Sequence, residues 1–315
     1  MCEKQTSLKI GTVVVTYNRK QLLIRCLDCI ANQTFKPHTV FIIDNASTDG
    51  TEELIRDDGR YYNNLEREIH FRYTHLNENT GGAGGFYTGM KMAYESIEHF
   101  DAVWVMDDDG QPMSTCLEKL LNKLDIYDYI APLVLAEENN DILAFNYKGS
   151  YVIKDLIIEN GIVKDYACPM NAILFSRRLI KRVGFPIPNL FIWGDEVNYS
   201  LRCKDEGFIP VTVPDAFHIH PRDRVQFAKT LFGKRIMIAP SYWREYCMIR
   251  NTVYNYKDRV RSHGLGLIVS VLLYQVWYYL FIKKDRKATA CCIEAFFSGY
   301  KRTPDQGYRK WMVVK

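Results

Sequence analysis

The chain has 315 residues, 47% hydrophobic and 25% charged, the balance of a globular protein with room for one large α/β domain or two smaller ones. A disordered tail protein and a small disulfide scaffold are excluded. The net charge of +4 hides two opposite halves: residues 1–220 carry 22 basic and 31 acidic groups, net −9, and residues 221–315 carry 19 and 6, net +13, an acidic body with a basic tail suited to nucleic acid or a phospholipid surface.

The first ten residues, MCEKQTSLKI, show no charged n-region, apolar h-region or small-residue cleavage site, so the body is expected in the cytosol. The nine cysteines are irregularly spaced, and neither Cys26/Cys29 nor Cys291/Cys292 has a matching second pair, so they read as reduced thiols and not as zinc ligands. Residues 9–16 form a β-branched run suited to a strand buried on both faces. Leu23, Cys26, Leu27 and Ile30 repeat with helical spacing, and Val40–Ile43 is again strand-like, stopping at Asp44-Asn45. Asp49-Gly50-Thr51-Glu52 has the spacing of a helix N-cap with a reaching Glu. A strand near 69–76, a helix near 85–100 and a strand over 102–106 complete an alternation that specifies a doubly wound, mainly parallel α/β sheet.

Leu143–Val163 reads as an antiparallel insertion with a hairpin signal at Glu159-Asn160-Gly161, and Phe208–Val213 as a further strand. From Tyr242 onward the chain is aromatic and basic, and residues 264–282 contain no charge, a length borderline for a membrane span. Lys257, Arg259 and Arg261 precede this stretch and Lys283, Lys284, Arg286 and Lys287 follow it, so the flanks prescribe no crossing direction. An interfacial helix fits better than a span, with a helix buried in protein as the alternative. The expected division is a catalytic domain over 1–225 and a basic, aromatic helical region over 226–315.

Ligands of an open parallel sheet bind at the carboxyl ends of its strands, and here four ends are polar together: Thr16-Tyr17-Asn18-Arg19, Asp44-Asn45-Ala46-Ser47, Asn77-Glu78-Asn79-Thr80 and Asp107-Asp108-Asp109. Three consecutive carboxylates repel one another unless a cation intervenes, and hard oxygen ligands of this kind suit Mg²⁺ or Mn²⁺ bridging to substrate phosphates. Gly81-Gly82-Ala83-Gly84-Gly85 opens the next helix, where backbone can approach a diphosphate and the helix N-terminus favours an anion. It is neither a dinucleotide fingerprint nor a P-loop. Asp195-Glu196, at the start of another helical pattern, supply a candidate general base, with Trp193 beside them as a stacking platform. His218 and His220 share a face if their segment is extended, and one of them is a candidate metal ligand.

Taken together, VVVTYNR, IIDNASTDGT, NTGGAGGF, WVMDDDG, WGDEVNYSLR and, more loosely, WREYCMIRN resemble family 2 glycosyltransferases, inverting enzymes of the GT-A fold, and among them the galactofuranosyltransferase branch. The resemblance covers residues 8–225 and extends loosely to 242–259. It implies transfer of a sugar, galactofuranose from UDP-galactofuranose, to a hydroxyl of a lipid-linked glycan acceptor in cell-surface polysaccharide synthesis. It makes Asp107, Asp109 and His220 the ligands of Mn²⁺ or Mg²⁺, puts Asp108 near the sugar or ribose, and assigns the base to Glu196 or Asp195, where Glu stands in place of the commoner Asp. Thr16, Asn18, Arg19, Asp44, Asn45, Asn79, Gly81, Gly82, Gly84 and Gly85 fall on the nucleotide-sugar side and Trp193 on the acceptor side.

Two other enzyme readings are a rhamnosyltransferase using dTDP-rhamnose, whose loop after the Asn is usually less Gly-rich, and a nucleotidyltransferase, which needs a basic phosphate clamp near the Gly-rich loop where this chain has Asn79, Thr80 and Phe86. Nucleic acid is not an expected partner, because the uncharged stretch 264–282 interrupts the basic tail. An anionic membrane surface is, which makes the expected location cytoplasmic and peripheral to the inner face of the cell membrane. A second copy of the chain, as a homo-oligomer, is compatible with the sequence.

Overall fold

All seven residues of β1 (Ile10–Thr16) are buried, as a strand flanked and covered on both faces requires. The computed structural model describes residues 8–62, 68–168, 170–222, 226–230, 233, 235–259 and 264–312. Next come α1 (Lys20–Ala31), β2 (Thr39–Asp44), α2 (Thr51–Asp58), β3 (His70–His75), α3 (Gly81–Glu95) and β4 (Ala102–Asp107). The strands pair in parallel in the order β3-β2-β1-β4. Ile10, Val14 and Trp104 share one core with Leu23, Leu27 and Ile30 of α1. Val13, Val15 and Ile43 look to the other face, where α3 lies, so the sheet is doubly wound as the alternation predicts.

The sheet continues through β5 (Gln111–Pro112), α4 (Cys116–Leu121), β6 (Tyr129–Ala136), β7 (Asn139–Tyr147), β8 (Ser150–Val152), β9 (Val163–Lys164), β10 (Ile173–Ser176), α5 (Arg177–Val183), α6 (Asp195–Asp205) and β11 (Val211–His220). Strand β10 is antiparallel to both β4 and β6, and β11 runs parallel to β6. The expected antiparallel insertion is the β7–β8 hairpin beside β6. Its tight turn is at Lys148-Gly149, both at positive φ, whereas Asn160-Gly161 closes only a single bridge between Glu159 and Ile162.

After β12 (Gln226–Lys229) and β13 (Arg235–Ile238), an antiparallel ribbon, the chain turns helical: α7 (Tyr242–Tyr256), α8 (Leu265–Ser270), α9 (Arg286–Gly299) and α10 (Tyr308–Met312). Helix α8 runs on through π-helical turns at Val271–Gln275 and Tyr278–Ile282. Two compact units result: residues 1–186 with 202–223, and residues 187–201 with 224–315. The segment 187–201, which carries Asp195 and Glu196, thus belongs with the C-terminal helices, an excursion that the single boundary at 225 does not contain. Phe191, Tyr246, Cys247, Ile249, Val253, Ile268, Tyr278, Cys291, Cys292, Phe296, Tyr308 and Trp311 share the core of the second unit.

Three local expectations need correction. Helix α3 begins at Gly81, not near Gly85, so the glycines form its first turn and do not precede it. Helix α2 has Gly50 in the left-handed region at its N-cap with no side-chain cap; Asp49, instead of capping, accepts from Thr51 Oγ1 and the Lys20 backbone N–H. The strand expected over 208–213 is β11, which starts later and extends through His220.

Candidate active site

In the first unit the ends of β1 and β4 meet. Thr16 Oγ1 donates to Asp108 Oδ2 at 2.6 Å, and Arg19 Nη1 reaches Asp108 Oδ1 at 3.1 Å and Asp109 Oδ2 at 2.6 Å. His220, at the end of β11, brings Nε2 to 3.1 Å from Asp109 Oδ1. Burial drives the carboxyls of Asp107 and Asp108 upward, Asp107 further because Asp109 and Asp108 add their charge, and Asp108 to about 6 against the pull of Arg19. Asp109 goes the other way: burial opposes its ionisation, but His220 and Arg19 hold it below its ordinary value. Burial would lower His220, and the Asp109 carboxylate raises it. His218, on the same face, is fully buried, and desolvation brings it down to about 3 with neither ring nitrogen hydrogen-bonded. A Cβ at Gly110 would lie 2.1 Å from its Nε2, so His218 is packed into the core behind the acidic turn.

His220 Nδ1 lies 2.7 Å from the Pro221 carbonyl. A proton on Nδ1 donated there leaves Nε2 to face a carboxylate, an arrangement that needs either a proton or a cation between the two. Among the described residues no three His, Cys, Asp or Glu converge as a complete cage. The pair Asp109–His220 is a partial donor set of hard oxygen and imidazole, which fits a divalent ion whose remaining ligands come from substrate phosphates and water.

The ends of β2 and β3 form a second polar cluster. Asp44 accepts from the Ser47 N–H at 2.8 Å and from the Tyr73 hydroxyl, and His75 Nδ1 stands 3.4 Å away. Asn45 accepts from the Thr80 N–H and donates to the Gly81 carbonyl, both at 2.8 Å, while Asn79 accepts from the Gly81 N–H. Asn18, at φ 53°, receives the Thr48 N–H at 2.7 Å and gives its own N–H to Ser47 Oγ. Asn45 and Asn79 pin the loop that leads into α3, and Asn18 and Asp44 pin the turn after β2. The glycines divide by role: a Cβ at Gly85 would meet Val15 Cγ1 at 2.5 Å and one at Gly84 would meet Thr80 Oγ1 at 2.3 Å, whereas Gly82 has ordinary space around it. Gly81 alone of the stretch has a positive φ, 70°.

In the second unit Asp195 and Glu196 open α6. Asp195 is buried, and Glu196 Oε2 accepts from the Gly194 N–H at 2.9 Å. Phe191, Trp193 and Gly194 all have positive φ, at 67°, 58° and 103°, and for the two non-glycine residues such backbone costs roughly 1–3 kcal/mol each. Trp193 is half-buried.

A model for the family described as glycosyl transferase family 2 matches residues 12–182. The chain belongs to that family. It is 28% identical over 290 residues to galactofuranosyltransferase GlfT1 of Mycolicibacterium smegmatis, covering 88% of this chain and 91% of that protein. It is 26% identical over 220 residues to glycosyltransferase AglE of Haloferax volcanii, covering 67% and 66%. Among solved structures, TarS of S. aureus superposes with a TM-score of 0.57 at 14% identity over 94% of this chain, which spans half of that one. GalNAc-T7, solved with UDP, GalNAc and Mn²⁺, gives 0.54 at 15% identity over 80% of this chain and 50% of that one. These likenesses show a GT-A-like fold and a glycosyltransferase.

Within this family member, the structure gathers Thr16, Arg19, Asp107, Asp108, Asp109 and His220 at one group of strand ends, and Asn18, Asp44, Asn45, Asn79 and Gly81 at the next. Sequence reasoning did not single out Tyr73, which holds Asp44, or Asn255, whose Nδ2 donates to the Gly194 carbonyl at 2.7 Å. Asn251 and Asn255 stand one helical turn apart on the buried side of α7, which also carries Glu245 and Arg250, and polar residues at helical spacing among buried positions are the signal that marks them.

Proposed function

We propose that the chain is an inverting galactofuranosyltransferase that uses UDP-galactofuranose and a lipid-linked glycan acceptor. The buried acidic turn paired with Arg19 and His220 carries the reading, supported by the similarity to GlfT1 along most of the chain. The acceptor hydroxyl attacks the anomeric carbon, the bond from that carbon to the diphosphate oxygen breaks, UDP departs with the electron pair, and configuration inverts. Asp195 or Glu196 takes the hydroxyl proton, a role that needs an ionised carboxylate within hydrogen-bond reach. Arg19 and the N-terminus of α3 offer positive charge to the diphosphate, and the Asp44–Asn45 cluster holds the loop that faces the nucleoside. Asp107, Asp109 and His220 would hold Mn²⁺ or Mg²⁺, which supplies Lewis-acid stabilisation of the departing diphosphate. Trp193 offers the acceptor a stacking surface.

The same proposal places the enzyme at the cytoplasmic face of the membrane. Among the described residues no helix is long and apolar enough to cross a bilayer. One face of the α8 segment is buried through Ile268, Gln275, Tyr278 and Tyr279, while Leu273, Phe281 and Ile282 are each more than half exposed. Lys283, Lys284, Arg286 and Lys287 follow directly, an apolar and cationic combination suited to anionic lipid.

A donor screen with Mn²⁺ that measures UDP release and product mass is the test. Turnover is expected with UDP-galactofuranose and not with UDP-galactopyranose or dTDP-rhamnose, and failure of all donors with every glycan acceptor overturns the transferase reading. Sedimentation with phosphatidylglycerol vesicles should fall about tenfold in the double variant Leu273→Ser/Phe281→Ser; unchanged sedimentation removes the lipid contact.

A further inference from the structure

The clamp that holds the acid-pair loop suggests a role for residues outside the reacting set. The Asn251 amide Nδ2 lies 2.9, 2.9 and 2.8 Å from the carbonyls of Leu190, Ile192 and Trp193. Its Oδ1 accepts from Arg250 Nε at 2.9 Å, which fixes the amide with its donors toward the loop. Arg250, fully buried, also donates from Nη2 to the Leu190 carbonyl at 2.7 Å and from Nη1 to the Asp305 carbonyl. Asn255 Nδ2 donates to the Gly194 carbonyl, and Asn255 Oδ1 accepts from Asn198 Nδ2 at 3.0 Å, one turn past the acid pair. A side chain at Gly194 would be strained: a Cβ would stand 3.0 Å from Asn251 Cβ, and its φ is 103°.

Side-chain amides thus reach four carbonyls of a stretch with three residues at positive φ: the two N–H of Asn251 are shared among Leu190, Ile192 and Trp193, and the Gly194 carbonyl takes the Asn255 amide beside the Asn198 N–H of α6 at 3.0 Å. Each of those carbonyls precedes or belongs to the turn that aims Asp195 and Glu196 from the start of α6. Resting on the assignment of the general base to this acid pair, we propose that Asn251 and Asn255, with Arg250 orienting Asn251, are positioning residues that set the direction of the base. They touch neither donor nor acceptor in this role. Their effect falls on the chemical step and leaves donor binding, which the first unit supplies, unchanged.

The experiment uses the full-length chain and compares Asn251→Ala, Asn251→Asp, Asn255→Ala, Glu196→Gln and Asp195→Asn. It measures kcat, KM for UDP-galactofuranose, UDP affinity by calorimetry and Tm. Misplacement of a catalytic group by about 1 Å costs about 10²-fold, so kcat of Asn251→Ala should fall about 10²-fold while donor KM and UDP affinity stay within about twofold. Asn251→Asp, which turns acceptor oxygens toward three carbonyls, should lose more than Asn251→Ala, and Asn255→Ala less. Folded Asn251→Ala and Asn255→Ala with kcat near the parent overturn the proposal, as does a kcat loss matched by an equal loss of UDP affinity. If Asn251→Ala does not fold, Asn255→Ala decides by the same split. Full activity in both Glu196→Gln and Asp195→Asn instead overturns the base assignment, whatever the asparagine variants do.

Discussion

In the first unit the carboxylates Asp107, Asp108 and Asp109 sit where a fully paired strand ends, held in place by the parallel sheet that carries β1 and β4. In the second, Asp195 and Glu196 follow a loop without a ladder, whose carbonyls are met by asparagine and arginine side chains from α7. Each arrangement puts acidic groups in a partly buried place, but the means differ. The strand end tolerates loss of a polar contact because the sheet still fixes its backbone. The loop has less reserve, since its backbone is strained and, beside local bonds such as Gly194 N–H to Glu196 Oε2, several of its carbonyls depend on side chains about sixty residues away.

The largest test of that contrast removes a carboxylate from either side. Glu196→Gln or Asp195→Asn, whichever is the base, should lower kcat by about 10²–10⁴-fold. Asp109→Asn should cost about 10³-fold in metal-supported turnover, the several kcal/mol of a Lewis acid's contribution. Steady-state kinetics with Mn²⁺ measures both. A Tm close to the parent's in Asp109→Asn would agree with a strand end held by its sheet, and a collapse of the fold would contradict it.

A smaller effect separates the glycines. Gly85→Ala places a Cβ 2.5 Å from Val15 and should destabilise by roughly 1–3 kcal/mol through overpacking, read by denaturant titration. Gly82→Ala has ordinary space and should leave stability near the parent's. Equal effects at the two positions would remove the packing explanation for Gly85.

The smallest is a slope with pH in the helical unit. Glu245 is buried, receives the Ala239 N–H, Gln275 Nε2 and Tyr279 OH, and is pushed up to about 7 by desolvation. A carboxyl that binds its proton more tightly when folded adds stability below its unfolded value, about 4.3, and that contribution is lost as pH rises toward 7. Stability should therefore fall between about pH 4.3 and 7 in the parent, and Glu245→Gln should remove that part of the slope. A slope unchanged in the variant, measured by urea unfolding at several pH values, assigns it to another group.

Much of this architecture is legible along the chain because its signals are local. The β-branched run of β1, the helical repeat of Leu23, Cys26, Leu27 and Ile30, and the polar residues after each strand all rest on contacts or alternations within a few positions, so β1 and α1 and the ends of β1, β2, β3 and β4 were found close to where they lie. Errors of boundary arise where a non-local contact takes part: α3 starts at Gly81, whose carbonyl accepts from Asn45 36 positions earlier, and Asp49, expected to cap α2, accepts from the Lys20 N–H 29 positions earlier while Gly50 enters the helix in the left-handed region. The candidate residues at the strand ends were visible as residue types. Their pairing was not, since the partners Thr16–Asp108 and Asp109–His220 are separated by 92 and 111 positions, a distance over which spacing carries no information. Asn251 and Asn255 show the limit most clearly. Residue type and helical spacing mark them as polar on a buried stripe, but only the folded chain puts the carbonyls of residues 190–194 against them, because that loop's hydrogen bonds are satisfied by side chains some sixty residues away.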